Sequence, residues 1–192
     1  MITHVGPDID ISADARIWDC SGYYIYPGLI EPYTERGFDS KYQDPPAARY
    51  WNKRIRPERQ AVNMVDPDSS AFKELRELGF TAAMMAPADG ILCGQSSVVT
   101  LAEGSFDDRI VNENVAQILQ WQRGGLGDYP SSQMGVISLI RQTLYDAQWY
   151  RDAHLAYSRN THQPAPETNV SLEALQTVIQ PAMPLFVDAH SI

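Results

Sequence analysis

The sequence is poor in cysteine, and the two thiols it does contain are widely separated. Cys20 and Cys93 lie in apolar or glycine-rich surroundings among 192 residues. Their spacing supports neither a disulfide framework nor a zinc knuckle, so we interpret both as buried free thiols. The two cysteines therefore do not indicate whether the protein resides in an oxidising or a reducing compartment.

Long apolar runs and an excess of basic residues are also missing. No window approaches the roughly 18 consecutive apolar residues that span a membrane. The N-terminus has neither the basic start nor the apolar core of a signal peptide. Fifteen Lys and Arg stand against 24 Asp and Glu, which gives a formal net charge of −9. This acidity argues against nucleic acid or an anionic membrane as a partner. The sequence does not indicate the localisation of the protein.

The composition fits one folded domain. The hydrophobic share of 44% and the charged share of 20% are ordinary for a globular protein. A chain of this length can bury one sizeable core and is too short for two.

The first 26 residues predict short β-strands. Alternating polar and apolar residues occur at Ile9–Ile11 and Ala15–Cys20, and an aromatic run follows at Tyr23–Tyr26. Two or three such strands make a poor sheet alone, so we expect them to be the remnant of a small β-sandwich.

The next stretch, Tyr26–Gly37, combines a turn, a short apolar run and a polar cluster. Pro27-Gly28 makes the turn, and Leu29-Ile30 can enter a buried strand. The polar residues then fall where that strand ends, which is where chemistry collects in parallel α/β folds.

A polar connector, residues 38–68, follows this stretch. Its centre, residues 47–59, mixes five basic side chains with Tyr50 and Trp51. Such a mixture is found in nucleic-acid or phosphate-binding patches. Given the acidic chain, we interpret it instead as a solvated loop, and its length is typical of a lid or an interface.

Residues 66–86 predict half of a βαβ unit. A helix start at Asp66–Ser69 precedes apolar residues at helical spacing, and Gly79 is suited to end the helix. Phe80–Ala86 is then a nearly continuous apolar strand, and the Leu29-Ile30 strand supplies the other half.

The loop that follows, residues 87–97, is a candidate ligand cradle. Gln95 and Ser96 are its substrate-pocket candidates, although the loop matches neither a P-loop nor a dinucleotide fingerprint. No base is identifiable beside Cys93, so we interpret it as a packed thiol rather than a nucleophile. Val98–Leu101 predicts a strand, and residues 110–121 fit a helix or a strand equally.

The C-terminal third predicts the longest helix and one more strand. Ser131-Ser132 caps a helix that runs to about Tyr157, with an apolar stripe that begins at Ile137. Ser171 is expected to cap a short helix. Pro184–His190 reads as a final buried strand that ends in polar residues.

Several of these segments resemble one family. Tyr26–Gly37, Gly79–Pro87, Gly94–Ser96 and above all Tyr129–Tyr150 are similar to bacterial proteins of the amidohydrolase superfamily, nearest to the imidazolonepropionase-like group. The resemblance implies a metal-dependent (β/α)₈ barrel that hydrolyses C–N bonds with a metal-activated water. It also implies a divalent metal of the zinc type.

The resemblance implies an α/β fold built as a partial (β/α)₈ TIM-type barrel. Residues 1–26 would be the β-sandwich remnant and residues 27–192 the first part of the barrel. A whole barrel needs roughly 250 residues. We therefore expect a fragment, completed by the remainder of the barrel or by a homo-oligomer.

The family's first metal motif is altered in this sequence. Where relatives carry a His-x-His pair, Tyr33 and Glu35 stand instead. Tyr33 is a poor ligand at neutral pH because its ordinary pKa is near 10, and one carboxylate does not replace two imidazoles. No metal ligand is assigned from the residues present, and Tyr33 remains a substrate-pocket candidate.

Two functions follow as hypotheses. In the first, Glu35 and His190 are the catalytic candidates of a hydrolase, with Asp188 and His190 on the same face of a strand. In the second, the chain is a degenerate, non-catalytic domain that acts as a structural or interaction module. The distance between the Glu35 and His190 side chains distinguishes these hypotheses, because the hydrolase requires the two to lie close enough to bridge a metal ion.

Overall fold

A computed structural model describes residues 4–7, 9–125 and 127–189. It has a mixed α/β architecture with seven short strands and six helices in this part of the chain. The strands are β1 Leu29–Thr34, β2 Phe80–Met85, β3 Leu92–Gln95, β4 Ser97–Thr100, β5 Ile110–Asn112, β6 Gln117–Gln120 and β7 Leu185–Asp188. The helices are α1 Ala61–Met64, α2 Ser70–Glu77, α3 Phe106–Arg109, α4 Gln133–Arg159, α5 Val170–Ala174 and α6 Gln176–Ile179.

The strands form two small sheets. The first has the order β1-β2-β4-β5, in which β1 and β2 are parallel and the other pairs are antiparallel. The second has the order β3-β6-β7, in which β6 and β7 are parallel. Neither sheet closes on itself within the described residues, so no closed barrel is present there.

The predicted βαβ unit is confirmed, but its first strand is not buried as predicted, since Leu29 and Ile30 are 55% and 68% exposed. Ser69 accepts a hydrogen bond from the Ala71 amide at the start of α2, and Gly79 has a φ of 91°, which suits a glycine at a helix end. β2 then runs parallel to β1, with Glu31 opposite Ala83. Phe72 and Leu75 of α2 pack against this sheet.

The long helix α4 covers the second sheet. Ser132 caps it by accepting a hydrogen bond from the Gly135 amide, as predicted. Its buried face packs with α5, α6 and the strands β3 and β6, and it consists of Val136, Leu139, Ile140, Thr143, Ala147 and Tyr150. The predicted start of this stripe was wrong, because Ile137 is 42% exposed.

The two sheets meet around a small buried cluster. Ala86, Cys93 and Ile118 are fully buried, and Tyr33 packs against them. The Tyr33 ring also stacks on Phe186 of β7, with ring centres 5.2 Å apart. This stacking joins one side chain of β1 to one side chain of β7.

Three strand predictions in the N-terminal segment were wrong. Residues 9–28 contain no strand, and most of their apolar side chains are exposed, among them Trp18 and Tyr24. Cys20 is likewise exposed rather than buried. Alternation favours a strand only where a neighbouring strand can pair with it, and the described residues supply none here. The predicted β-sandwich remnant stays a prediction.

Two predictions near the C-terminus also need correction. The short helix α5 is capped by Asn169, which accepts hydrogen bonds from the Ser171 and Leu172 amides, rather than by Ser171. β7 forms where a strand was predicted, but its residues Leu185–Val187 are exposed instead of buried. No described element covers the outer face of this edge strand.

No helix in the described part of the chain is both long enough and apolar enough to cross a membrane.

Candidate functional site

Four strands end at one polar pocket of about 250 Å³. Glu35 follows the end of β1, Asp89 lies in the loop after β2, Gln120 is the last residue of β6, and Asp188 is the last residue of β7. All four side chains line the pocket, together with Ala88, Trp121 and Gln122. Carboxyl ends of parallel strands are where α/β folds bind their ligands, so this pocket is the candidate site.

A hydrogen-bonded group of three side chains forms one wall. The Tyr33 hydroxyl donates to Oε1 of Glu35 at 2.8 Å. The Gln120 amide donates to the Tyr33 hydroxyl at 3.0 Å and also to Oε1 of Glu35. One carboxylate oxygen therefore receives two bonds, which fixes the orientation of the Glu35 side chain.

Tyr33 is held as a neutral phenol. Burial raises its pKa well above the ordinary value, and the hydrogen bond to Glu35 raises it further because the charged carboxylate stabilises the donor. The charge of Asp188 acts in the same direction. At neutral pH Tyr33 is thus a hydrogen-bond donor and a poor metal ligand.

Cys93 is an inert thiol whose Sγ donates to Oε1 of the pocket residue Gln120 at 3.5 Å. Its side chain is fully buried, and burial raises its pKa to about 12. The charges of Glu35, Asp89 and Asp188 contribute to the same shift. A thiol that stays protonated is not a nucleophile, which agrees with the sequence interpretation.

Asp89 reaches the pocket from a left-handed backbone conformation. Its φ of 64° is unusual for a residue other than glycine, although Asp tolerates it better than most. Gly90 follows, and a Cβ there would lie 2.9 Å from the Arg54 carbonyl oxygen. The loop after β2 therefore packs directly on the arginine-containing connector.

The other predicted site residues lie away from this pocket. Gln95 is buried at the end of β3, and its backbone N–H donates to the backbone carbonyl of Arg59. The Ser96 hydroxyl is fully buried and exchanges hydrogen bonds with the backbone of Ala116. Neither residue lines the pocket, and a ligand-binding role for them stays a prediction. The predicted catalytic residue His190 lies outside the described residues.

Sequence reasoning missed Gln120 and Gln122, whereas Asp89 belongs to the loop that was predicted as a ligand cradle. The segment that contains β6 was ambiguous between helix and strand, so its end could not be placed at the sheet edge. Assigning Gln117–Gln120 to a strand would have identified Gln120 as a site residue. Gln120 occupies the same position at the end of β6 that Asp188 occupies at the end of β7.

The described residues do not fit the zinc-type metal that the resemblance implies. Such a site needs three or four nitrogen, sulfur or oxygen ligands. Within residues 4–7, 9–125 and 127–189, no group of three or more His, Cys, Asp or Glu side chains is placed to hold an ion. Tyr33 is a neutral phenol, and one oxygen of Glu35 is already bonded twice. We therefore assign no catalytic step to a metal.

Comparison with known proteins identifies one similar solved structure. The chain is similar to an amidohydrolase from Thermotoga maritima MSB8, with a TM-score of 0.76 and 22% sequence identity over 97% of this chain. The match covers 51% of that protein, so the chain spans about half its length. No protein-family profile and no curated protein matches the chain. At this identity the likeness concerns architecture, and the chain has an amidohydrolase-like α/β fold.

Proposed function

We propose that the chain forms the first part of a partial (β/α)₈ barrel of the amidohydrolase type. In this proposal the strand-end pocket is one wall of a site that hydrolyses non-peptide C–N bonds. The observation that supports it is the convergence of four strand ends on one polar pocket, within a fold similar to an amidohydrolase. We also propose that, within the amidohydrolases, the chain is most similar to the imidazolonepropionase-like group.

Further strands would complete this site, from the rest of a longer protein or from a second copy of the chain. Two features support completion. β1 and β7 are edge strands of their sheets, and both expose apolar side chains, including Ile30 and Val187. Sheet edges of this kind pair readily with another strand.

Glu35 is the residue that we propose as the general base. Its carboxylate would take a proton from a water molecule whose oxygen bonds to the carbon of the C–N group. The C–N bond then breaks, and the proton passes to the departing nitrogen. Tyr33 and Gln120 hold the carboxylate in place during these steps, and the neutral Tyr33 phenol does not compete for the proton.

Replacement of the base tests this function. The full-length protein is assayed for release of ammonia or amine from lactams and cyclic ureides. We expect Glu35→Gln to lower kcat by about 100-fold or more, which is the usual contribution of a general base. Glu167→Gln, at an exposed position on the loop before α5, is the matched control and should retain full activity.

A non-catalytic domain is the second candidate function. The observation that favours it is that Tyr33 and Glu35, which stand where the family motif carries its two histidines, bond to each other and to Gln120. If the wild-type protein releases no product from any of these substrates, or if Glu35→Gln is as active as the wild type, this second function is supported.

A further inference from the structure

A second cleft, lined by basic side chains, lies beside the strand-end pocket. Its volume is about 510 Å³, and the residues that line it are Asp44, Lys53, Arg54, Arg56, Arg59, Asp89 and Gln122. We propose that this cleft, which we name the arginine cleft, binds the oxyanion group, carboxylate or phosphate, of a small molecule. The proposal stands whether or not the neighbouring pocket is catalytic.

The cationic side chains are withdrawn from solvent, which corrects the sequence interpretation of a solvated loop. The side chains of Arg54, Arg56 and Arg59 are only 17%, 17% and 20% exposed. Guanidinium groups at this depth need partners, because removal of a charge from water is costly.

Acidic partners are too few for these cations. Asp44 forms a two-pronged ion pair with Arg59, with Nε to Oδ1 and Nη2 to Oδ2 both at 2.8 Å. Asp128 lies 3.0 Å from Lys53 and 3.5 Å from Arg54. With Asp128 included, the four cations of the cleft face three carboxylates, so a local positive excess of one charge remains in a chain whose net charge is −9. A local excess of this sign attracts anions.

Arg56 is the cation with the weakest pairing. Its closest contact with a carboxylate oxygen is Nε to Oδ2 of Asp44, at 3.8 Å, and that carboxylate is already bonded to Arg59. Nη1 of Arg56 donates to the carbonyl oxygens of Asn52 and Ile55, which fixes the side chain. Burial lowers the pKa of Arg56; the negative charge of Glu58 opposes this shift, and the positive charge of Arg59 adds to it. An oxyanion in the cleft would supply the missing partner.

The chemistry of the cleft selects the ligand class. A planar guanidinium presents paired donors that match carboxylate and phosphate oxygens, and Arg56 and Arg59 stand together at this site. Nη1 of Arg54 donates to Oε1 of Gln122, and Gln122 also lines the strand-end pocket. Asp89 is shared in the same way. A ligand anchored in the arginine cleft can therefore extend toward Glu35 and Asp188.

Titration with inorganic phosphate and, separately, with acetate tests the proposal. Isothermal titration calorimetry at low ionic strength should give saturable binding of at least one of the two ions to the wild-type protein. The tighter of the two then identifies the oxyanion. Arg56→Gln should weaken that binding by about tenfold or more, which corresponds to loss of hydrogen bonds from a charged donor. Arg141→Gln, at an exposed position on α4, is the control and should bind as the wild type does.

A second measurement protects the test against a variant that misfolds. Amide resonances of the wild-type protein are followed by NMR during the same titration. The largest shifts are expected in residues 52–59. Absence of saturable binding of both ions, equal weakening by Arg56→Gln and Arg141→Gln, or shifts confined to other segments would each overturn the proposal.

Discussion

Side chains that meet at the pocket come from distant parts of the sequence. Tyr33 and Glu35 belong to the segment that ends β1, and Gln120 ends β6 in the other sheet. Each of the three bonds to the other two, so none of them is free to reorient alone. The spacing of Tyr33 and Glu35 was readable from the sequence, but their partner Gln120 was not, because only the fold brings it near.

The two cysteine side chains should differ in their reactivity toward a thiol reagent. Native protein at pH 8 should react with Ellman's reagent at Cys20 only, since Cys20 is exposed and Cys93 is fully buried. Because burial raises the pKa of Cys93 to about 12, this thiol stays protonated at that pH. The second thiol should become reactive when the protein is unfolded in guanidinium chloride.

Cys20→Ser supplies the control for this measurement. The variant should show no rapid reaction in the native state and one reactive thiol after unfolding. Rapid reaction of the native variant would contradict the burial of Cys93.

Helix α4 is the element whose packing most affects stability. Leu139 is 1% exposed and belongs to the cluster that joins α4 to the second sheet. Leu139→Ala should therefore lower the free energy of unfolding by about 2–5 kcal/mol, the usual cost of such a cavity. Urea denaturation followed by circular dichroism measures the change.

Ile137 provides a matched control on the same helix. It lies two residues before Leu139 and is 42% exposed. Ile137→Ala should cost less than Leu139→Ala, because less apolar surface is buried at this position and a smaller cavity is left. Equal costs for the two variants would contradict the assigned buried face.

Elements with strong local signals were predictable from the sequence. The N-cap Ser69, Gly79 at the end of α2 and the apolar run of β2 agree with one another, and the unit formed as expected. β5 and β6 have three and four residues, too few to display a period, so their type was undecided. The N-terminal alternation failed for the opposite reason, since a pattern without a pairing partner does not make a strand.

The molecule has exposed apolar side chains along β1 and β7, the edge strands of its two sheets. Ile30 of β1 is 68% exposed, and the residues of β7 are also exposed. Surfaces of this kind promote association. We predict that the apparent mass of the chain rises with concentration in light scattering.

Ile30→Lys should reduce this association, because a charge on an edge strand opposes strand pairing. Trp149→Lys introduces the same charge at a residue of similar exposure, 66%, on the helix α4. That variant should associate as the wild type does. A concentration-independent monomer for the wild-type chain, or equal effects of the two substitutions, would contradict association through β1.

The parallel pairing of β6 with β7 also has a kinetic consequence. The two strands are neighbours in the sheet, yet α4, α5 and α6 lie between them in the chain. Contacts that close such a long loop form slowly, because the loop's entropy is lost before the pairing is gained. On the ribosome, β6 emerges well before β7, so its edge waits unpaired until the last strand arrives. We therefore expect the nascent chain to depend most on chaperones in the interval during which α4, α5 and α6 are being synthesised.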